Sequence, residues 1–107
     1  DSSQTIGANT TGQDLVGRYT VLDGAKPNRS SIITINGDGT LQTIEYLDGV
    51  LKTTMTGNWS YAQETQILSL SYPDGSGTRG TISGSTRDFF LNGTNVDGSS
   101  ANYHFQR

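Results

Sequence analysis

His104 is the only histidine in a chain of 107 residues that contains no cysteine, and those two facts narrow the chemistry open to it. Nucleophilic catalysis needs a nucleophile, a base and a group that orients the base. In Tyr103-His104-Phe105, alternation turns His104 away from the side its neighbours share. A carboxylate such as Asp88 or Glu45 can face it only across strands. No catalytic residue is assigned, and the chain is expected to be non-enzymatic. Thiolate metal sites and disulfides are excluded by composition. Asn36-Gly37-Asp38-Gly39 has the lettering of a calcium loop but lacks its acidic spacing and distal Glu, so turn chemistry accounts for it. Neither a metal nor a cofactor is expected. What remains is aromatic. Tyr46, Trp59, Tyr61 and Tyr72 are the candidate ligand or partner contacts, because flat aromatic faces bind sugars and peptides alike. Tyr46 is the one expected to be exposed, whereas Trp59 and Tyr61 share a parity with Met55 and serve core packing too.

These side chains are carried by short β segments. Ile32-Ile33-Thr34-Ile35 runs into Asn36-Gly37-Asp38-Gly39, Leu41 to Leu47 into Asp48-Gly49, and Ile67 to Tyr72 into Pro73-Asp74-Gly75. Evenly spaced strands with turn residues between them, and no helical stretch, predict an all-β, antiparallel, eight-stranded up-and-down meander closing into a small barrel. The strands are expected at 16–22, 30–36, 40–47, 50–62, 67–72, 78–83, 86–92 and 101–106, with at most one helical turn near 12–15. Gly57 suggests a bulge or bend in the long fourth strand. Period-two alternation puts Gly17, Tyr19, Val21, Ile33, Ile35, Met55, Trp59, Tyr61, Leu68, Leu70, Tyr72, Phe89, Leu91, Tyr103 and Phe105 on the inner side. The third strand is open: Leu41 with Leu47, or Ile44 with Tyr46, faces inward, and a bulge would reconcile both. Residues 1–14 are polar and aperiodic apart from Ile6, and read as a flexible N-terminal tail or tether, disordered or laid along the surface, ahead of a barrel domain at 15–107.

Only 31% of the residues are hydrophobic and the mean hydropathy is -0.51, so inward side chains are needed as filling and a large internal cavity is not expected. Net charge is -3, and the 7 basic residues never form a run, which argues against nucleic-acid binding. No segment approaches the length of an apolar membrane span. The Thr, Ser, Asn and Gly-rich composition, with Asp1 in place of a starting Met, suggests a removed leader and placement outside the cytoplasm. The chain is read as secreted or held in the cell envelope, periplasmic or as a surface lipoprotein with a lipid tether, and monomeric.

The two ends of the meander carry the most specific pattern. Leu15-Val16-Gly17-Arg18-Tyr19 and Tyr103-His104-Phe105-Gln106-Arg107 resemble the lipocalin-like, or calycin, arrangement of a Gly-x-aromatic on the first strand and an Arg on the last. Ile33 to Leu41 and Gly57-Asn58-Trp59-Ser60-Tyr61 with Leu68-Ser69-Leu70 are similar to stretches of small bacterial lipocalin-like domains. The resemblance covers residues 15–107 and has Tyr19 where the family usually has Trp. It implies that Gly17, Tyr19 and Arg107 close one barrel end, the guanidinium lying flat on the aromatic ring. It also implies a binding module that takes a small ligand or a protein partner at an open mouth opposite that end, among the hairpin tips 23–29, 48–49 and 73–77 or their counterparts, according to strand direction. Small inhibitors of secreted metalloproteases use a similar barrel and would act through residues 1–14. A structural or adhesive surface module is the third reading.

Overall fold

A computed structural model describes residues 4–107. Each alternating segment forms a strand: β1 Gly17–Asp23, β2 Arg29–Ile35, β3 Thr40–Leu47, β4 Val50–Ala62, β5 Ile67–Ser71, β6 Gly77–Ser85, β7 Asp88–Asn95 and β8 Ser100–Gln106. Neighbours pair antiparallel in chain order, and β8 returns to β1 with Val21 opposite Phe105, so the barrel is closed. Closure pairs every strand on both sides and leaves no open edge. The single helical turn among the described residues is a 3₁₀ helix at Gly12–Leu15.

Local chemistry explains the turns. Asp38-Gly39-Thr40, Asp74-Gly75-Ser76 and Asp97-Gly98-Ser99 repeat one device. In each, the Asp carboxylate accepts the N–H two residues on, at 3.1, 2.9 and 2.9 Å, and the hydroxyl of the same residue. The hydroxyl bond is the main reason these three carboxyls titrate below the usual carboxylate range. The intervening glycines take φ of 91, 88 and 89°, the left-handed region that disfavours other residues. Asp48-Gly49, at φ 52 and 79°, makes the tight two-residue hairpin expected of that pair.

Tyr19, Val21, Ile33, Ile35, Leu68, Leu70, Phe89, Leu91 and Phe105 are buried as alternation predicts. In β3, Leu41 and Thr43 face inward, and Ile44 is half-buried on the other side. The register of β3 on β4 shifts between Glu45 and Tyr46, where Lys52 has no opposite residue. Gly57, where a bulge was expected, lies in regular register opposite Leu41. It is needed for a different reason: a Cβ there would meet the Ser71 carbonyl oxygen at 2.2 Å. Met55 is only partly buried, and Trp59, Tyr61, Tyr72 and Tyr103 pack around the margin of the core. Ile82 is a core residue that alternation alone did not single out. Its strand presents Thr78, Gly80 and Ile82 inward, and one apolar side chain in three makes a faint pattern.

The N-terminal segment takes one of the two courses its sequence leaves open, laid along the surface. Residues 1–3 of the proposed tail lie outside the described residues. From Gln4 onward the segment is laid against the barrel rather than detached from it. Thr5 bridges Ser85, Ile6 N–H donates to the Gly84 carbonyl at 2.8 Å, and Thr86 N–H donates to the Gln4 carbonyl at 2.8 Å. Ile6, Thr10 and Leu15 are buried, and Gly12 sits under the Trp59 ring. Ile6 and Leu15 cover one end of the core, which gives a polar-looking segment an apolar reason to dock.

Candidate functional site

In an up-and-down barrel the hairpins alternate between two ends. The turns at 36–39, 63–66 and 86–87 share one end with the N-terminal segment and Arg107; those at 24–28, 48–49, 72–76 and 96–99 mark the other.

The first end is sealed. The Arg107 guanidinium carbon lies 5.0 Å from the Tyr19 ring centroid. Its Nε donates to the Thr86 carbonyl at 2.9 Å, Nη1 to Val16 at 2.6 Å and Nη2 to Asp14 at 3.0 Å. Carbonyls at a helix end lack partners within the helix, and the fork of Arg107 supplies them. Gly17 is required beneath it, since a Cβ would come within 2.3 Å of Nη1. The Tyr19 hydroxyl, fully buried, donates to the Leu15 carbonyl at 2.7 Å. Burial pushes the Tyr19 phenol from 10.0 up to about 12, against the opposing pull of Arg107 and Arg87. The unfolded chain therefore gives up this proton first. The stabilisation is intact below pH 10 and is lost as the pH rises from 10.0 to about 12. Alkaline denaturation monitored alongside the ultraviolet tyrosinate band should show unfolding and Tyr19 ionisation in one step, and Tyr19→Phe should move that unfolding to higher pH.

Trp59 and Tyr61 belong to this sealed end. The indole Nε1 donates to the Asn36 carbonyl at 2.8 Å, in the β2–β3 turn. The buried Tyr61 phenol oxygen has no hydrogen-bond partner among the described residues, and burial raises its pKa, with Asp14 adding to the effect. Of the four candidate contact residues, only Tyr46 and Tyr72 reach the opposite end.

There the barrel opens. A cavity of about 100 Å³ has a floor of Val21, Ile33, Leu70 and Phe105. Hydroxyls of Ser31, Thr43, Thr78, Tyr72 and Tyr103 stand above it, and Asp23, Arg29, Glu45 and Lys52 line its rim. It leads into a vestibule of about 700 Å³ that shares Asp23, Arg29, Glu45, Tyr72, Thr78 and Tyr103. The vestibule is bounded by residues of the turns after β1, β5 and β7. The expected contribution of residues 48–49 is replaced by that of 96–99. Lys52, the extra residue of the β4 bulge, is itself among the lining residues, and both Glu45 and Tyr46, consecutive in β3, border the cavity. Simple alternation would send one of them outside.

The polar groups of the mouth differ in how they are satisfied. Tyr72 and Thr43 hydroxyls bond to each other at 2.7 Å, and Asn95 Oδ1 accepts from Thr78 at 2.6 Å and from Tyr103 at 3.3 Å. Burial raises both phenol pKa values, with Glu45 adding to Tyr72 and Asp23 to Tyr103. Arg29, Glu45 and Lys52 make no ion pair among the described residues. Sequence reasoning found Tyr46 and Tyr72 but not Tyr103 as a lining residue, nor the four charged ones. Their signal was present as charges at inward parity near strand ends, as in Asp23, Arg29 and Glu45.

His104 is on the outside, as alternation indicated. It pairs with Asp88 across β7–β8 and stacks on Phe90 at 4.2 Å with an interplanar angle of 7°. Its bond to His104 is the main reason the Asp88 carboxyl lies below the usual range. No nucleophile bonds to the pair among the described residues. No group of three metal-ligating side chains is present among them either, and no helix is long and apolar enough to cross a membrane.

No family model and no curated protein matches the sequence. Among solved structures, a redesigned β barrel superposes with a TM-score of 0.59 at 18% identity, covering 91% of this chain and 94% of that one. At that identity the likeness concerns the fold: an eight-stranded antiparallel barrel.

Proposed function

We propose that this protein is a non-enzymatic binding module that takes a small ligand into the open mouth of a lipocalin-like barrel. The observation that carries the reading is the asymmetry of the two ends. One is sealed by Arg107, the 3₁₀ turn and Ile6, while the other opens through a vestibule onto a lined cavity. The arrangement of Gly17, Tyr19 and Arg107 supports the lipocalin-like likeness specifically. Rigid clefts with an apolar floor and a few placed polar groups are the usual form of small-molecule sites. The composition favours work outside the cytoplasm. Inhibition of a protease by the N-terminal segment would require residues 4–14 to leave the barrel, and the burial of Ile6 and Thr10 opposes that.

A fragment screen on the 15N-labelled full chain tests the proposal. Binders should move the amides of Ser31, Thr43, Thr78 and Tyr103, and Ser31→Phe, which fills the cavity, should abolish those shifts while the protein stays folded. Shifts confined to the sealed end or the outer face of the barrel would refute it.

A further inference from the structure

A hydroxyl has one proton to give, and once that proton is committed its oxygen can only accept. The partners of the hydroxyls at the mouth therefore decide what a ligand must offer. Asn95 of β7 lies opposite Thr78 of β6 in the ladder. Its Nδ2 donates to the Ser99 hydroxyl at 3.0 Å and to the Ser100 carbonyl at 3.4 Å. A carbonyl accepts only from the amide nitrogen, so Oδ1 is the end of the amide turned to β6 and β8. There it accepts from the Thr78 hydroxyl at 2.6 Å and from the Tyr103 phenol at 3.3 Å. Both protons are spent on Asn95, and the Thr78 and Tyr103 oxygens keep only lone pairs for the cavity these residues line. Thr43 and Tyr72 differ. Their two hydroxyls share a single bond at 2.7 Å, which leaves one proton over. The Thr43–Tyr72 side can answer a donor or an acceptor, whereas the Thr78–Tyr103 side answers a donor alone.

We infer that the mouth selects an uncharged, apolar head group that carries an N–H or O–H donor, and discriminates against heads that only accept, such as a ketone or an ether. Thr78 and Tyr103 receive the donor. Asn95 is a positioning residue, because it fixes the sense of both hydroxyls without having to touch the ligand. The inference rests on the reading of the mouth as a ligand site and names the chemistry of its ligand. An acceptor placed against the two oxygens would strip them of water and return no bond, whereas an N–H replaces the water it displaces. The apolar body of the head meets the floor of Val21, Ile33, Leu70 and Phe105. Size sets a limit. A cavity of roughly 150 Å³ holds benzene, so the smaller inner space suits a head of about four or five heavy atoms, with the rest of the ligand in the vestibule.

Three small rings separate the possibilities when titrated into the 15N-labelled full chain: pyrrole, which donates through its N–H, furan, its near-isostere without a donor, and cyclopentanone, a strong acceptor. Pyrrole is expected to move the Thr78 and Tyr103 amides with a Kd at least about fivefold below that of either of the others. Asn95→Leu frees both hydroxyl protons to turn into the cavity, so it should reverse the order of pyrrole and cyclopentanone. Thr78→Val keeps the shape of the side chain but removes one accepting oxygen, and should cut the advantage of pyrrole over furan by at least about twofold. It decides the assignment alone if Asn95→Leu loses the dispersed spectrum of the folded chain. Furan or cyclopentanone bound at the same amides as tightly as pyrrole overturns the donor inference and leaves the mouth as a ligand site. A preference for pyrrole that survives the variants unchanged overturns the assignment to Thr78, Tyr103 and Asn95. If none of the three moves the mouth amides, the inference falls, and the fragment screen with Ser31→Phe decides separately whether the mouth binds anything.

Discussion

Arg107→Ala will lower the stability of the barrel by about 2–3 kcal/mol, the scale of losing a cation–π contact together with charge-assisted hydrogen bonds. The size follows from how much one side chain does. Its three nitrogens bond to the carbonyls of Asp14, Val16 and Thr86, and its plane covers Tyr19. Removing it leaves those carbonyls to water and uncovers the ring. The melting temperature should fall by about 10 °C or more for a domain of this size. Arg107→Lys should recover less than half of the loss, because an ammonium cannot reproduce the planar fork. Gly17→Ala supplies an internal control. Its added methyl collides chiefly with Arg107, at 2.3 Å from Nη1, so its cost should shrink in the Arg107→Ala background. Thermal melts of the parent, the three single variants and the double variant check this, and an Arg107→Ala protein as stable as the parent would show that the terminus does not close the barrel.

Phe105→Ala should be more damaging still, by about 3–5 kcal/mol, the range for truncating a fully buried aromatic ring. Phe105 stacks on Phe89 at 4.7 Å with an interplanar angle of 11°, and Tyr19 meets both rings edge-on at 5.4 and 5.6 Å. It is also part of the cavity floor, so the variant should enlarge the cavity and degrade binding at the mouth together with stability. The matched control is Phe90→Ala. Phe90 follows Phe89 directly but points outward, 45% exposed against His104, and its loss should cost less than about 1 kcal/mol. Urea unfolding of both variants reads the difference, and equal losses would mean that the inside and outside of β7 have been misassigned.

What the sequence determined by itself was local. A period of two marks which of Phe89 and Phe90 is inside, because successive side chains on a strand take opposite faces whatever the rest of the chain does. Asp-Gly-Ser/Thr marks the hairpins for an equally local reason, since a carboxylate two residues before a hydroxyl closes the turn on itself. The Gly17, Tyr19 and Arg107 arrangement was legible as a motif. Which aromatic residue serves which end was not. Trp59 and Tyr61 share a face with Met55, yet Trp59 bonds to the β2–β3 turn at the sealed end while Met55 borders the vestibule. Position along the barrel axis depends on strand tilt and stagger, and these are properties of closing all eight strands at once. The bulge at Lys52 has no mark in the sequence, though its extra residue is one of those that line the cavity. The partner of His104 was undecided between Asp88 and Glu45 until β7 paired with β8. Ile6 and Thr10 look like parts of a polar tail because nothing near them in the chain is apolar. Only the finished barrel exposes the end that buries them, and a surface that does not exist before closure cannot leave its period in the sequence.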